Sequence, residues 1–244
     1  MKSAYSLTAY HDALMKVLPS GNREGLKYQD AFFFRDVNTE GKILDIGGGI
    51  GRSSYYFGAM GAKEIICLEP ELDGSSAGMT DRFNLIQKEL QAQNVVRLER
   101  KTFQDFENMG DHFDTIISMD SINHLNEDAC VTLKSSKESY DEYIRLLKKI
   151  YNMLIPGGHV LISDCSRYNI FPLLGLTNPM ARTIEYEKHQ SPYFWRKIFE
   201  EVGFKTLKIE WFTPRRLGTV GKLLLGNCIG SYFFKSIFRI LFEK

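Results

Sequence analysis

Cysteine is scarce in this chain, with only four in 244 residues. Cys67, Cys130, Cys165 and Cys228 stand far apart and form no CxxC pair. That argues against a disulfide framework or a thiolate zinc site and for buried, reduced thiols, so no metal is expected. Charge of one sign is lacking as well: 31 Lys and Arg face 30 Asp and Glu, a net charge of +1. No global field is left to attract nucleic acid. The opening residues, MKSAYSLTAYHDALMKVLPSG, hold no uninterrupted apolar core of the signal-peptide kind. The most apolar stretch, near the C-terminus, is interrupted by Lys222, Lys235 and Arg239 before it reaches bilayer length. These absences predict a cytoplasmic protein. Repeats, low-complexity runs and Pro/Ser-rich linkers are also missing, so residues 1–244 are expected to form a single domain.

What is present is an alternation. From Lys42 onward, short apolar runs take turns with helical patterns, the mark of βαβ units and a parallel sheet. The candidate strands are KILDIG, EIICLEP, VVRLERKTF, FDTIISM, GHVLISDCS, FKTLKIEWF and SIFRILFEK. Helices are predicted over Leu7–Val17, Gly51–Met60, Ser75–Gln93, Ser139–Leu154 and Pro192–Val202. PGG at Pro156 to Gly158 reads as a helix stop and a turn into the next strand. The last two strands have no recognisable helix between them and should pair as an antiparallel hairpin around an excursion from Thr213 to Tyr232. The expected class is α/β: a seven-stranded, mostly parallel sheet with helices on both faces and an antiparallel C-terminal hairpin. Residues 1–40, a helix followed by the aromatic stretch YQDAFFFRDV, are expected to form an N-terminal helical cap.

The stretch KILDIGGGIGRSS, Lys42 to Ser54, carries the chemistry. A strand ending in an acid, then glycines, then a helix aims backbone N–H groups and a positive helix end at a ligand. The dinucleotide pattern G-x-G-x-x-G fails here in both frames. From Gly47 its third glycine would fall on Arg52, and from Gly49 on Ser54. What stands is Asp45-x-Gly47-x-Gly49-x-Gly51, with Gly48 filling one of the gaps. This resembles the first motif of the class I S-adenosylmethionine-dependent methyltransferases, which have a Rossmann-like fold. The resemblance implies that Asp45 orients the loop and the cofactor's amino-acid end, and that the glycine backbone lies under the sulfonium ligand.

Glu69, 24 residues beyond Asp45, ends the second strand. Its carboxylate is placed to accept from both ribose hydroxyls, as in dinucleotide folds. By the same resemblance, Phe103 and Asp105, with Gln104 in reserve, would meet the adenine. Ser118, Met119 and Asp120, closing the fourth strand in FDTIISMDSINHL, would lie beside the sulfonium. The cofactor-binding expectation is thus Asp45, Gly47, Gly48, Gly49, Gly51, Glu69, Phe103, Gln104, Asp105, Ser118 and Met119.

The acceptor side is less defined. CSRYNIFPLLGLTNPMARTIEYEKHQ is a 26-residue connection after the fifth strand, longer than compact folds normally carry without a function. Its mixture of Arg167, Tyr168, Asn178, Arg182, Glu185, His189 and Gln190 suits a substrate lid over residues 165–191, and a plain surface excursion is the alternative. A hydroxyl acceptor would benefit from a general base. The candidates are His124 and His189, with Asp120 and Asp164 behind them, against ordinary structural roles for both histidines. The resulting expectation is methyl transfer to a small molecule or glycan, at oxygen. A nucleic-acid or protein methyltransferase and a non-catalytic binding scaffold are the competing classes. Against the former, SMDSIN stands where an Asn/Asp-Pro-Pro-aromatic motif would be. The C-terminal excursion, with Arg215, Arg216 and Lys222 beside a strongly apolar run, suits a membrane surface, a dimer interface or a hairpin packed on its own core.

Overall fold

The computed structural model describes residues 3–18, 22–71, 77–107, 110 and 112–244. Its strands form a seven-stranded sheet in the order β3-β2-β1-β4-β5-β7-β6. By internal packing the chain divides into two compact units, residues 1–119 with 153–160, and residues 120–152 with 161–244.

The first unit begins with two helices, α1 (Leu7–Val17) and α2 (Arg23–Phe33). Each starts at a polar cap: Ser6 Oγ accepts from Ala9 N, and Asn22 Oδ1 from Gly25 N. Such caps satisfy amide donors that the helix itself leaves orphaned. The strands β1 (Lys42–Ile46), β2 (Glu64–Leu68), β3 (Val96–Glu99) and β4 (Phe113–Met119) follow, with α3 (Arg52–Ala59) and α4 (Met79–Leu90) between them. Strand β1 pairs in parallel with both β2 and β4, and β2 with β3. Ile43, Leu44, Ile65, Ile66, Ile116 and Ile117 are fully buried. That is why these strands read as continuous apolar runs and not as alternations.

The second unit holds α5 (Glu127–Thr132), α6 (Lys137–Met153), the end of β5 (Leu154–Cys165), α7 (Ile170–Leu173), α8 (Pro192–Val202), β6 (Lys205–Trp211), α9 (Gly218–Leu225), α10 (Cys228–Tyr232) and β7 (Ile237–Glu243). Helix α6 buries Tyr143, Leu146, Leu147 and Ile150, a spacing that places all four on one face. Helix α8 is bounded as its composition demands, by Ser191 capping Phe194 N, Pro192 in the first turn and Gly203 at φ 117°. Strands β6 and β7 pair antiparallel from Lys205↔Glu243 to Trp211↔Phe238, with a register shift between Thr206 and Lys208. Phe242 on β7 stacks on Phe199 of α8 with ring centroids 4.2 Å apart.

The α/β class and the C-terminal antiparallel pair are as expected, and several boundaries are corrected. The third strand stops at Glu99, because Lys101 N turns back onto Glu99 O at 2.9 Å. PGG is no turn ahead of the fifth strand: β5 starts at Leu154 and runs through it, with Gly157 supplying φ 74°. Helix α4 starts at Met79, and the expected start at Ser75 lies outside the described residues. The aromatic stretch after residue 27 belongs largely to α2. The excursion after Thr213 is not featureless but carries α9 and α10.

Candidate active site

In the first unit, β1 delivers Asp45 and β2 delivers Glu69 to the glycine loop. Asp45 is fully buried, and its Oδ2 accepts from Ser53 Oγ (2.6 Å), Ser54 Oγ (2.7 Å) and Ser54 N (3.1 Å). These donors belong to the first turn of α3, so the carboxylate ties the strand end to the helix start. Its Oδ1 is buried without a partner. Burial pushes the Asp45 carboxyl upward, the Ser53 and Ser54 hydrogen bonds oppose this, and the Glu69 charge adds to the rise.

Glu69 is also buried and grips backbone at both oxygens: Gly49 N donates to Oε2 and Glu71 N to Oε1, each at 2.9 Å. The loop needs its glycines for two separate reasons. At Gly51, φ is 80°, and a Cβ would stand 2.7 Å from the rings of Phe83 and Tyr55. At Gly48, a Cβ would meet Cys67 Sγ at 2.3 Å and Asp45 Oδ2 at 2.9 Å. Gly47 and Gly49 also lie at positive φ. Neither Asp45 nor Glu69 has a cationic side chain as partner among the described residues. Two buried carboxylates without a cation are costly and favour a ligand that brings positive charge.

The other residues expected at the cofactor divide. Ser118 is buried and Met119 half-buried at the end of β4, while Phe103 is buried. Gln104 and Asp105 are exposed. Asp105 closes a local turn, its Oδ2 accepting from Thr102 Oγ1 at 2.6 Å while its N–H donates back to that hydroxyl.

In the second unit, Asp120, the residue after β4, has φ 53°, an uncommon conformation for a side-chain-bearing residue and one that gathers at functional sites. Its N–H donates to Ser163 O at 2.8 Å, and Ser163 Oγ donates to its Oδ1 at 3.3 Å. Asp164, fully buried on β5, accepts from Cys165 N at 2.7 Å and holds His189 Nδ1 at the same distance through the same Oδ1. Its Oδ2 is buried without a partner. The pairing of Asp164 with His189 has no local sequence signal, since 25 residues separate them. Burial lowers the affinity of His189 for a proton. The hydrogen bond and charge of Asp164, with the charges of Asp120 and Glu187, outweigh it, and the imidazole pKa is raised.

His124 stands apart from this group. It is exposed and bonded through Nδ1 to Glu127, three residues on, which makes it the closure of its own loop. Other polar residues of the 165–191 segment serve as scaffold. Gln190 Nε2 donates to Cys130 O (2.6 Å), and Asn178 Nδ2 to Phe234 O (2.7 Å). Asp164, Cys165 and His189 bring one ligand atom each within 4.8 Å of one another, enough to consider a metal ion. Burial raises the Cys165 thiol pKa, however, so its thiolate is disfavoured, and the short Asp164–His189 bond gives the cluster a simpler account as an acid–base pair.

A family model described as "Methyltransferase domain" matches residues 23–209. Over 193 residues the chain is 24% identical to sarcosine/dimethylglycine N-methyltransferase of Halorhodospira halochloris, covering 78% of this chain and 62% of that protein. It is 22% identical over 175 residues to glycine/sarcosine/dimethylglycine N-methyltransferase of Actinopolyspora halophila, covering 72% and 27%. The chain therefore spans less than two thirds of the length of either relative. Among solved structures, the S-adenosylmethionine dependent methyltransferase of Mesorhizobium loti superposes with a TM-score of 0.55 at 17% identity, over 83% of this chain and 90% of that one. At that identity the likeness concerns the fold.

Proposed function

The chain belongs to the methyltransferase-domain family, and from that premise we propose that it is an enzyme moving the methyl group of S-adenosylmethionine to a nitrogen of a small amine. The observation that carries the donor half is the pair of buried carboxylates, Asp45 and Glu69, without a cationic side chain as partner among the described residues. A dinucleotide would bring an anionic pyrophosphate to that loop, whereas S-adenosylmethionine brings a sulfonium and an ammonium. The unpartnered Asp45 Oδ1 and the glycine backbone, which leaves no room for a Cβ at Gly48 and Gly51, fit that ligand. When bound, it supplies an electrophilic methyl carbon on positive sulfur. Glu69 and the loop amides would hold the donor, and Asp45 anchors the start of α3 through Ser53 and Ser54.

On the acceptor side, Asp164 holds His189 through Nδ1 and leaves Nε2 as the ring nitrogen for proton exchange. An amine arrives largely as an ammonium and must lose a proton before its lone pair is available. Neutral His189, its proton affinity raised by Asp164, is the group placed to take that proton, and the neighbouring carboxylates of Asp120 and Asp164 favour a cationic acceptor. Nitrogen takes the place of the expected oxygen acceptor in this proposal. The names of the two curated relatives, both N-methyltransferases, point the same way. On this reading the 165–191 segment carries the base and covers the acceptor, and helices α1 and α2 cap the donor loop.

The test has two stages: calorimetry with S-adenosylhomocysteine, then product detection with panels of small amines, alcohols and glycans. Tight NAD binding without S-adenosylhomocysteine affinity would overturn the donor assignment. Methylation confined to hydroxyls would overturn the nitrogen assignment alone.

A further inference from the structure

Helix α9 is inverted relative to an ordinary surface helix. Val220, Leu223 and Leu224, at i, i+3 and i+4, point outward, with Leu223 82% exposed, while Gly221 faces inward. Beyond it, Ile229 and Phe233 are exposed as well. The 165–191 segment repeats the pattern, with Leu173 (75% exposed), Leu174 and Leu176 on and after α7. Ten of the fifteen large apolar side chains exposed among the described residues lie in these two segments. Scattered apolar residues on a surface need no explanation, but such a concentration does.

The two segments are clasped together within the second unit. Asn169 Nδ2 donates to Phe234 O (2.7 Å) and Ser236 Oγ (2.9 Å), and Asn178 Nδ2 donates to the same Phe234 carbonyl. Ser236 Oγ in turn donates to Tyr168 O (2.9 Å). Asn169, Asn178 and Ser236 are all buried. The apolar side chains therefore project from one braced region and not from two independent loops.

Charge identifies what covers them. Residues 165–184 and 211–242 contain no Asp or Glu, although about six would fall in 52 residues at the chain's overall rate of 30 in 244. The same segments carry Arg182, Arg215, Arg216 and Lys222, all exposed. Outward leucines flanked by cations, with the nearest acids, Glu185 and Glu210, only beyond the ends of these two runs, match an anionic bilayer, whose interface accepts the leucines and whose headgroups accept the cations. No described helix is long and apolar enough to cross a membrane, so the contact is peripheral. We propose that α7, α9 and the residues clasped around them form a surface that docks this protein onto anionic membranes.

The experiment is co-sedimentation of the full chain with phosphatidylcholine vesicles, with and without phosphatidylglycerol. Binding is expected to the mixed vesicles, to weaken with salt, and to be much weaker on phosphatidylcholine alone. Leu223→Asp with Leu224→Asp should abolish it. Arg216→Ala and Lys222→Ala should each cost roughly fivefold. All four positions are exposed and outside the donor loop, so each variant should keep S-adenosylhomocysteine affinity within about twofold, which also reports that it is folded. Absence of vesicle binding by the wild type, or binding indifferent to these substitutions, would overturn the proposal. A two-copy mass in solution that Leu223→Asp dissolves, without vesicle binding, would overturn it in favour of a second copy of this chain.

Discussion

His189 Nδ1 lies 2.7 Å from Asp164 Oδ1, and Asp164 is fully buried. A buried carboxylate held this close to one ring nitrogen fixes the orientation of the imidazole and raises its pKa above the ordinary 6.5. If the neutral ring accepts the acceptor's proton, activity should fall on the acid side, with a limb centred above pH 6.5. His189→Gln should lower methyl transfer by about 10²–10⁴ and remove that limb. Asp164→Asn takes away the charge that raises the pKa, so its limb should move to lower pH. Rate–pH profiles of the two variants decide the matter. Unchanged profiles would make the pair structural.

Glu69 offers a second test. Its oxygens already accept from Gly49 N and Glu71 N, and each retains a lone pair for a ribose hydroxyl. Glu69→Ala should weaken S-adenosylhomocysteine binding by about 1.5–3 kcal/mol, roughly ten- to more than hundredfold. Calorimetry on a variant with native circular dichroism reads this directly.

Asp45 should leave a mark on stability. Its folded-state pKa is raised, so its contribution is fully present below the unfolded value of 3.8 and is lost as pH rises through the folded value. Asp45→Asn keeps an oxygen for Ser53 and Ser54 without the charge. The melting temperature of the variant relative to wild type should therefore climb as pH rises from acid to neutral. Its affinity for the cationic cofactor should fall. A difference independent of pH would contradict the assignment.

Asp30 is the node of the first unit's helices. His11 Nε2 meets its Oδ2 at 2.9 Å, and Arg52 donates to its Oδ1 at 2.7 and 3.2 Å. Removing one partner from a buried ionic group leaves the rest uncompensated, at a cost of about 3–5 kcal/mol. Asp30→Ala should lower the urea midpoint accordingly, while Lys27→Ala, on the same helix but exposed, should not.

The parts of this molecule legible in the sequence were those encoded locally. KILDIG and EIICLEP had to be buried parallel strands because their apolar residues do not alternate, and α8 announced both ends through Ser191, Pro192 and Gly203. Helix α2 is not legible in the sequence because Phe32, Phe33 and Phe34, all buried, blur the helical period into a single apolar block. Helix α5 has only six residues, too few for a period to register. At the site, the acid and glycines of β1 declared themselves, yet the donors that hold Asp45, Ser53 and Ser54, looked like any helix start. The closed His124–Glu127 contact and the long-range Asp164–His189 contact made the two histidines indistinguishable in sequence and different in space.

The Asp30 node also bears on how the glycine loop opens. Arg52, which it holds, is the residue immediately after Gly51 and the first of α3. Amide hydrogens of α1 and α2 can exchange by release of Asp30, and that release frees the start of α3 at the same moment. Local opening of the N-terminal helices and disordering of the glycine loop are thus expected as one fluctuation. A ligand that binds only the ordered loop suppresses this opening by a factor of one plus the ratio of free ligand concentration to Kd. Occupancy of the glycine loop should accordingly be readable as exchange protection in α1, which carries none of the loop's residues.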